Sequence, residues 1–188
     1  MSEAADQCRL FFEQYSGDPN KVEALQKSGL AYEWENYSAS RHSPCPVISS
    51  ERLLRLVINP LHVDSLTGNL KPTAVTDVKD KGCSVDRLSH TTLDRCLATG
   101  HENAVVKNAA KPDAPPRSVC GVANMSAKDI RSIRVGQNIQ AFCVYDTALA
   151  ANTAHADVCQ VVPGKGQDGR SARLQLLALA DRGLIPIP

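Results

Sequence analysis

The stretch Ile139-Gln140-Ala141-Phe142-Cys143-Val144-Tyr145 decides the fold class. It is the best strand candidate in the chain. Period-two alternation puts Phe142 and Val144 on one face and Ala141, Cys143 and Tyr145 on the other. After it, 157–162 reads as a second strand, and a glycine-rich turn leads into a strongly apolar helix at 172–180 that ends near Gly183. Before it, 118–123 reads as a strand, and Ser126-Ala127-Lys128-Asp129 is a capping-box variant that opens a short helix to about Arg134, ended by Gly136. Strand, helix, strand, strand, helix is the order of an α+β chain.

Further out, residues 4–37 read as two helices. Ala5, Cys8, Phe11, Phe12 and Tyr15 recur at spacings of three and four and form one apolar stripe. Gly17-Asp18-Pro19 stops that helix and starts the next, with Asp18 as N-cap and Pro19 in the first helical position. Val22, Leu25, Leu30, Trp34 and Tyr37 continue an apolar face across Gly29. A loop at Ser43-Pro44-Cys45-Pro46 follows. Segment 48–58 is ambiguous: Ser49 or Ser50 before Glu51 suits a helix cap, whereas Leu56-Val57-Ile58 suits a strand, and Asn59-Pro60 closes it either way. Residues 60–81 read as loop with one helical turn, 83–86 as a short strand, and 89–110 as helix divided at Gly100. Lys111-Pro112-Asp113-Ala114-Pro115-Pro116 is a surface loop, and the proline-bearing tail at 185–188 is expected to be irregular. The fold class is α+β: an N-terminal helical pair, then a small mixed or antiparallel sheet with flanking helices. The organisation is an aromatic helical segment, 1–40, and a single α+β domain, 41–188, with 111–116 as a loop on its surface.

Composition narrows the class. The chain has 188 residues, 21 Lys plus Arg against 20 Asp plus Glu, and a formal charge of +1. That balance supplies no basic field for nucleic acid or an anionic membrane. No stretch approaches the roughly 18 apolar residues of a membrane helix, and the polar, acidic start is no secretory leader. Seven cysteines at irregular intervals are read as reduced thiols of a soluble, cytoplasmic protein. Aromatic residues are only 4% and are segregated. Phe11, Phe12, Tyr15, Tyr32, Trp34 and Tyr37 lie in the N-terminal segment, and Phe142 and Tyr145 in the best strand.

Several residue groups carry possible chemistry. Gly164-Lys165-Gly166-Gln167-Asp168-Gly169 matches G-x-G-x-x-G between a strand and a helix. Lys165 and Gln167 crowd its turn, however, and no second parallel strand with an acidic residue follows. It is read as a connecting loop. His62-Val63-Asp64 and His155-Ala156-Asp157 each put a histidine and a carboxylate on one face if extended, and Cys159 prolongs the second face. Neither has knuckle spacing, so no metal and no cofactor are assigned. The polar strand end at Asp146 and Thr147, the alanine-rich connection and the start of the next strand would gather Asp146, Asn152 and His155.

An arginine on a first strand (Arg55, in Leu53-Leu54-Arg55-Leu56-Val57) followed by a small hydroxyl residue on a second (Ser84, in Gly82-Cys83-Ser84-Val85) resembles ADP-ribosyl transfer enzymes, which grip NAD this way. The resemblance covers about forty residues and implies nucleotide or NAD chemistry. The chain departs from it in lacking a glutamate on a later strand. Glu102, the one glutamate after Glu51, lies in a helical region, so Asp146, His155 or Asp157 would have to take that part.

Two classes of function follow. One is a small intracellular binding or accessory protein that meets a protein partner, or itself, through Phe11, Phe12, Tyr15, Trp34 and Tyr37. The other is a nucleotide- or NAD-using enzyme with Arg55, His62, Ser84, Asp146 and His155 at its site. The second requires Arg55, Ser84 and His155 to share one ligand-sized cleft.

Overall fold

The computed structural model describes residues 2–187. Three helices come first: α1 (Glu3–Gln14), α2 (Lys21–Ser28) and α3 (Ala31–Trp34). Then β1 (Arg52–Asn59) leads through 3-10 turns at Pro72–Ala74 and Thr76–Lys79 to β2 (Cys83–Arg87). The long α4 (Leu93–Ala110) precedes β3 (Ser118–Ser126), α5 (Ala127–Arg131) and the short hairpin β4 (Arg134–Val135) and β5 (Ile139–Gln140). Last are β6 (Phe142–Tyr145), β7 (His155–Gln160), α6 (Gln167–Arg182) and β8 (Leu184–Pro186). The chain is α+β. Its six-stranded sheet runs β6-β7-β2-β1-β3-β8, and every neighbouring pair is antiparallel.

The ambiguous segment resolves as strand. Ser49 and Ser50 start no helix because Glu51 is turned inward, where its carboxylate accepts the Ile48 N–H at 2.9 Å and pairs with Arg87. From Arg52 the side chains alternate, Leu53 and Val57 to one face and Leu54 to the other, so β1 is buried on both sides.

Four other expectations are corrected. The front forms three helices, and the second begins at Lys21 rather than Pro19, since Asp18 instead accepts the Asn20 N–H in a turn. Gly100 does not divide α4, which is continuous. A Cβ there would lie 2.9–3.0 Å from side-chain atoms of Leu56 and Val119, so glycine allows the helix to press on β1 and β3. The stretch 139–145 is not one strand: β5 turns to β4, and only β6 joins the main sheet. The tail forms β8, which pairs with β3 from Gly121 to Ala123; proline is tolerated because β8 is an edge strand.

The two faces of the sheet are covered differently. On one, α5, α6 and the 3-10 turns close a continuous core around Leu53, Val85, Met125, Phe142, Val144 and Leu176. On the other, cover comes in two separate blocks. The N-terminal helices lay Cys8, Phe12, Val22, Leu25 and Trp34 on Cys143, Tyr145 and Cys159 of β6 and β7. At the far side, α4 lays Cys96 on Leu54 and Val122 of β1 and β3. Between the blocks β2 is uncovered, and Ser84 is exposed although its strand is interior.

The sheet has a seam at this gap. The β1–β2 ladder registers only Leu53 with Arg87 and Leu54 with Asp86. Beyond it the Arg55 guanidinium bridges the parting strands, with Nε donating to Ala74 O at 3.2 Å and Nη1 to Ser84 O at 3.0 Å. At the margin beside the front helices, Glu35 accepts the Val144 N–H at 2.7 Å and Gln140 donates to Phe142 O at 2.8 Å. The seven cysteines are free thiols, and no helix among the described residues is long and apolar enough to cross a membrane.

Candidate functional site

Strand periodicity builds the floor of the gap. Ser84 and Asp86 on β2 and His155 and Asp157 on β7 point to the same side. The register pairs them crosswise, Ser84 with Asp157 and Asp86 with His155. The result is a quartet of polar side chains in the middle of a face otherwise packed with leucine, valine, cysteine and aromatic residues.

The quartet is tied to the elements around it. Lys21 on α2 reaches in, and its Nζ lies 2.7 Å from Asp157 Oδ2, both groups buried. Thr147 Oγ1 donates to the same oxygen at 3.1 Å, and Ser84 Oγ donates to Asp157 Oδ1 at 3.5 Å. Burial works against ionisation of Asp157, but the Lys21 charge and the hydrogen bonds from Lys21 and Thr147 hold its carboxyl below the ordinary value. The same pairing raises Lys21 above the ordinary lysine value, against the effect of its burial. His155 Nδ1 lies 3.0 Å from both Thr147 O and Thr147 Oγ1. A carbonyl only accepts, so Nδ1 carries the proton and Nε2 is left as an acceptor, 4.0 Å from Asp157 Oδ1. Asn152 Nδ2 donates to Asp86 Oδ1 at 2.8 Å and anchors the 147–152 connection beside the floor.

Two cavities open over this floor. The one under α4 encloses about 540 Å3. The one beside the N-terminal helices encloses about 630 Å3 and is walled by Phe12, Gly17, Ser40 and Arg41. Lys81, Ser84, Leu149 and His155 line both, so the two adjoin at Ser84 and His155 as neighbouring lobes. In the first lobe α4 offers Gly100, Asn103, Ala104 and Lys107, a stripe at helical spacing whose small residues leave room and whose polar residues face the cavity.

Of the residues expected from sequence, Arg55, His62, Ser84 and His155 all line the first lobe. Arg55 sits at the seam with two of its donors engaged by backbone. His62 is buried, and its Nδ1 accepts the Ile58 N–H at 3.1 Å; burial first, then the nearby Arg55 charge, lowers its pKa to about 4, which keeps it neutral. His62 is not joined to Asp64, which caps the turn at Leu66 and Thr67. His155 and Asp157 do share a face. Among the described residues no three His, Cys, Asp or Glu side chains cluster to hold a metal ion.

Asp146 lies elsewhere. It is buried 3.4 Å from Arg87 Nη1 and outside both cavities, with the Arg87 guanidinium and the Ala148 backbone as its polar neighbours. Arg87 is aligned instead on Glu51, with Nε and Nη2 at 2.8 and 2.7 Å, and on Cys45 O at 2.7 Å. Burial pushes the Asp146 carboxyl up to about 7, against the pull of Arg87. Between its unfolded value of 3.8 and about 7, the folded chain thus retains a proton that the unfolded chain has released. The stability this group contributes is complete at acid pH and is lost as pH rises through about 7. Asp146→Asn should match the parent near pH 4 and exceed it by about 2–4 kcal/mol at pH 8. Urea unfolding of both chains across this range measures the difference, and a constant difference would contradict the assignment.

The aromatic residues of the front are largely packed within the chain. Phe12 and Trp34 are each 5% exposed; Phe12 meets Tyr145 and Phe11 meets Trp34, at ring separations of 4.7 and 4.9 Å. Tyr15 and Tyr37 are half-buried, and Tyr32 is exposed. The glycine run at 164–169 contributes to neither lobe. Its turn wraps the buried Gln160, whose Nε2 donates to Val162 O and Pro163 O, and a Cβ on Gly169 would collide with Pro163 O.

Sequence reasoning did not single out Lys21, Asp86, Lys107 or Arg117, and it named Thr147 only as part of a polar strand end. The Ser84–Asp86 alternation was available as a clue. Lys21 gave none, because a lysine in a helix is ordinarily solvated. No protein-family model, no curated protein and no solved structure matches the chain.

Proposed function

We propose that the protein is an enzyme of nucleotide or NAD chemistry, working in the cleft between α4 and the N-terminal helices. The observation that carries this reading is the quartet Ser84, Asp86, His155 and Asp157, set on the floor of a ligand-sized cavity where an apolar face would otherwise be covered. His155 is the proton acceptor. Thr147 orients its ring, Nε2 is free, and ionised Asp157 stabilises the imidazolium formed when a water or a ligand hydroxyl gives up its proton. Ser84 presents a hydroxyl beside it and holds the ligand. Lys21 keeps Asp157 charged and in place, which makes it a positioning residue. The free thiols fit a reducing compartment such as the cytoplasm.

The test is calorimetry with NAD, ADP and AMP on the parent, Ser84→Ala and His155→Ala. His155→Ala should weaken the tightest of these ligands about tenfold or more while leaving the thermal unfolding temperature within a few degrees. Equal affinity in all three proteins, or no binding by the parent, would overturn the reading.

A protein-contact role draws support from a different place than the aromatic front. Val105 and Val106 on the outer side of α4 are 68% and 67% exposed. Light scattering of the parent and of Val105→Ser/Val106→Ser reports whether this patch joins two copies; a monomer in both removes self-association.

A further inference from the structure

The first lobe has two chemically different ends, and the charges at one of them are unanswered. Four cations line it: Arg55, Lys81, Lys107 and Arg117. Arg55 is engaged at the seam by Ala74 O and Ser84 O. Lys81 lies 3.7 Å from Asp77, one of the lobe's two carboxylates, and the other, Asp86, takes the Asn152 amide. The side chains of Lys107 and Arg117 make no ion pair or hydrogen bond among the described residues.

They are nevertheless held together. Asn108, at the end of α4, clasps the Arg117 backbone from both sides, donating to Arg117 O at 2.9 Å and accepting from Arg117 N at 2.8 Å. This clasp pins the start of β3 to the turn that carries Lys107. Asn103 lies one turn back on the same stripe. His62 lines the same lobe and is kept neutral by burial, so it adds no competing charge of either sign. The whole chain carries only +1, so this concentration of positive charge is local.

We infer that the Lys107–Arg117 end of the lobe is a subsite for the phosphate group of a free nucleotide. Resting on the function proposed above, this fixes the ligand's direction. The phosphates lie between a planar guanidinium fork and a lysine point charge. The body of the ligand crosses Leu54 and Leu56 beneath Gly100 and Ala104, and the far end reaches Ser84 and His155.

The experiment is titration calorimetry of the full chain with ADP, inorganic pyrophosphate and adenosine, on the parent, Lys107→Gln/Arg117→Gln, Ser84→Ala and, as a charge control, Lys165→Gln. The expected result is that the double variant weakens ADP and pyrophosphate at least tenfold and leaves adenosine unchanged, with Lys165→Gln like the parent. If ADP binding survives the double variant but is lost in Ser84→Ala, the phosphate subsite is wrong and the cleft reading stands. A parent that binds adenosine but neither phosphate-bearing probe also overturns the subsite alone. If the parent binds none of the three, both readings fall. Equal weakening by Lys165→Gln would reduce the effect to general charge and overturn the subsite. Lys107 is exposed and Arg117 only half-buried, and unchanged thermal unfolding of the double variant confirms an intact fold.

Discussion

Lys21→Met is expected to lower folding stability by about 3–5 kcal/mol, the range seen when one partner of a buried ion pair is removed. Lys21 and Asp157 have side chains only 5% and 6% exposed and meet at 2.7 Å. Methionine fills a similar volume but leaves a buried carboxylate whose remaining hydrogen bonds come only from hydroxyls, those of Thr147 and Ser84. The pH dependence identifies the cause. In the parent the Asp157 carboxyl is held below its ordinary 3.8, so its contribution is present above that value and disappears only as pH falls below it. Without Lys21 the carboxyl moves up, so the variant should recover stability on acidification where the parent does not. Lys21→Met/Asp157→Asn should regain most of the loss at pH 8. Guanidinium unfolding of the three chains at pH 5 and 8 measures both effects. A single variant within 1 kcal/mol of the parent would show that the pair does not hold α2 on the sheet.

Removing residues 1–40 should have the largest effect of all: the remaining chain should fail to fold cooperatively. The front covers Cys143, Tyr145 and Cys159, each fully buried. Uncovering large side chains forfeits about 1.5–3 kcal/mol each, against a total stability of about 5–15 kcal/mol. Lys21 goes with the front, as do the Gln26 hydrogen bonds to Gln160 O and Val162 O, both 2.9 Å, and the Val22 N–H bond to Asp80 O at 2.8 Å. Circular dichroism and urea titration of a 41–188 chain test this, with residues 1–40 added back as a separate peptide. A sharp transition in 41–188 alone would instead make the front an appendage available to partners, as the segregation of aromatic residues suggests when read without the structure.

Much of the fold could be read from local pattern, because strands and amphipathic helices write their periodicity directly into the chain. The α+β class, the alternating faces of Phe142–Tyr145 and the capping-box turn at Ser126 are legible for that reason, whereas Ala141, expected on the face of Cys143 and Tyr145, lies before β6 and packs with Phe142 and Val144. What failed to show depends on neighbours distant in sequence. Gly100 looks like a helix break until Leu56 and Val119 are brought against it. The tail looks irregular until β3 offers it an edge. Within the site, His155 and Asp157 declared their common face by spacing alone. Arg55, His62 and Ser84 were picked for residue type, and only the sheet order brings them to the lobe that His155 also lines. Asp146 follows β6 just as His155 opens β7, yet it turns inward to Arg87, a partner that nothing in the local sequence announces. Lys107 and Arg117 are ten residues apart along the chain and meet across the proline loop only through the Asn108 clasp.

The margins of the sheet bear on how the protein behaves in a crowd. A bare outer strand is a template on which another chain can polymerise, backbone to backbone. Here Glu35 and Gln140 occupy main-chain groups of β6, and Pro186 at the opposite margin has no N–H to offer a newcomer. Strand-by-strand growth into a fibre would have to begin by dislodging one of these locks. Unwinding of α3, which carries Trp34 and leads directly to Glu35, would uncover the Val144 N–H and open that margin to a newcomer.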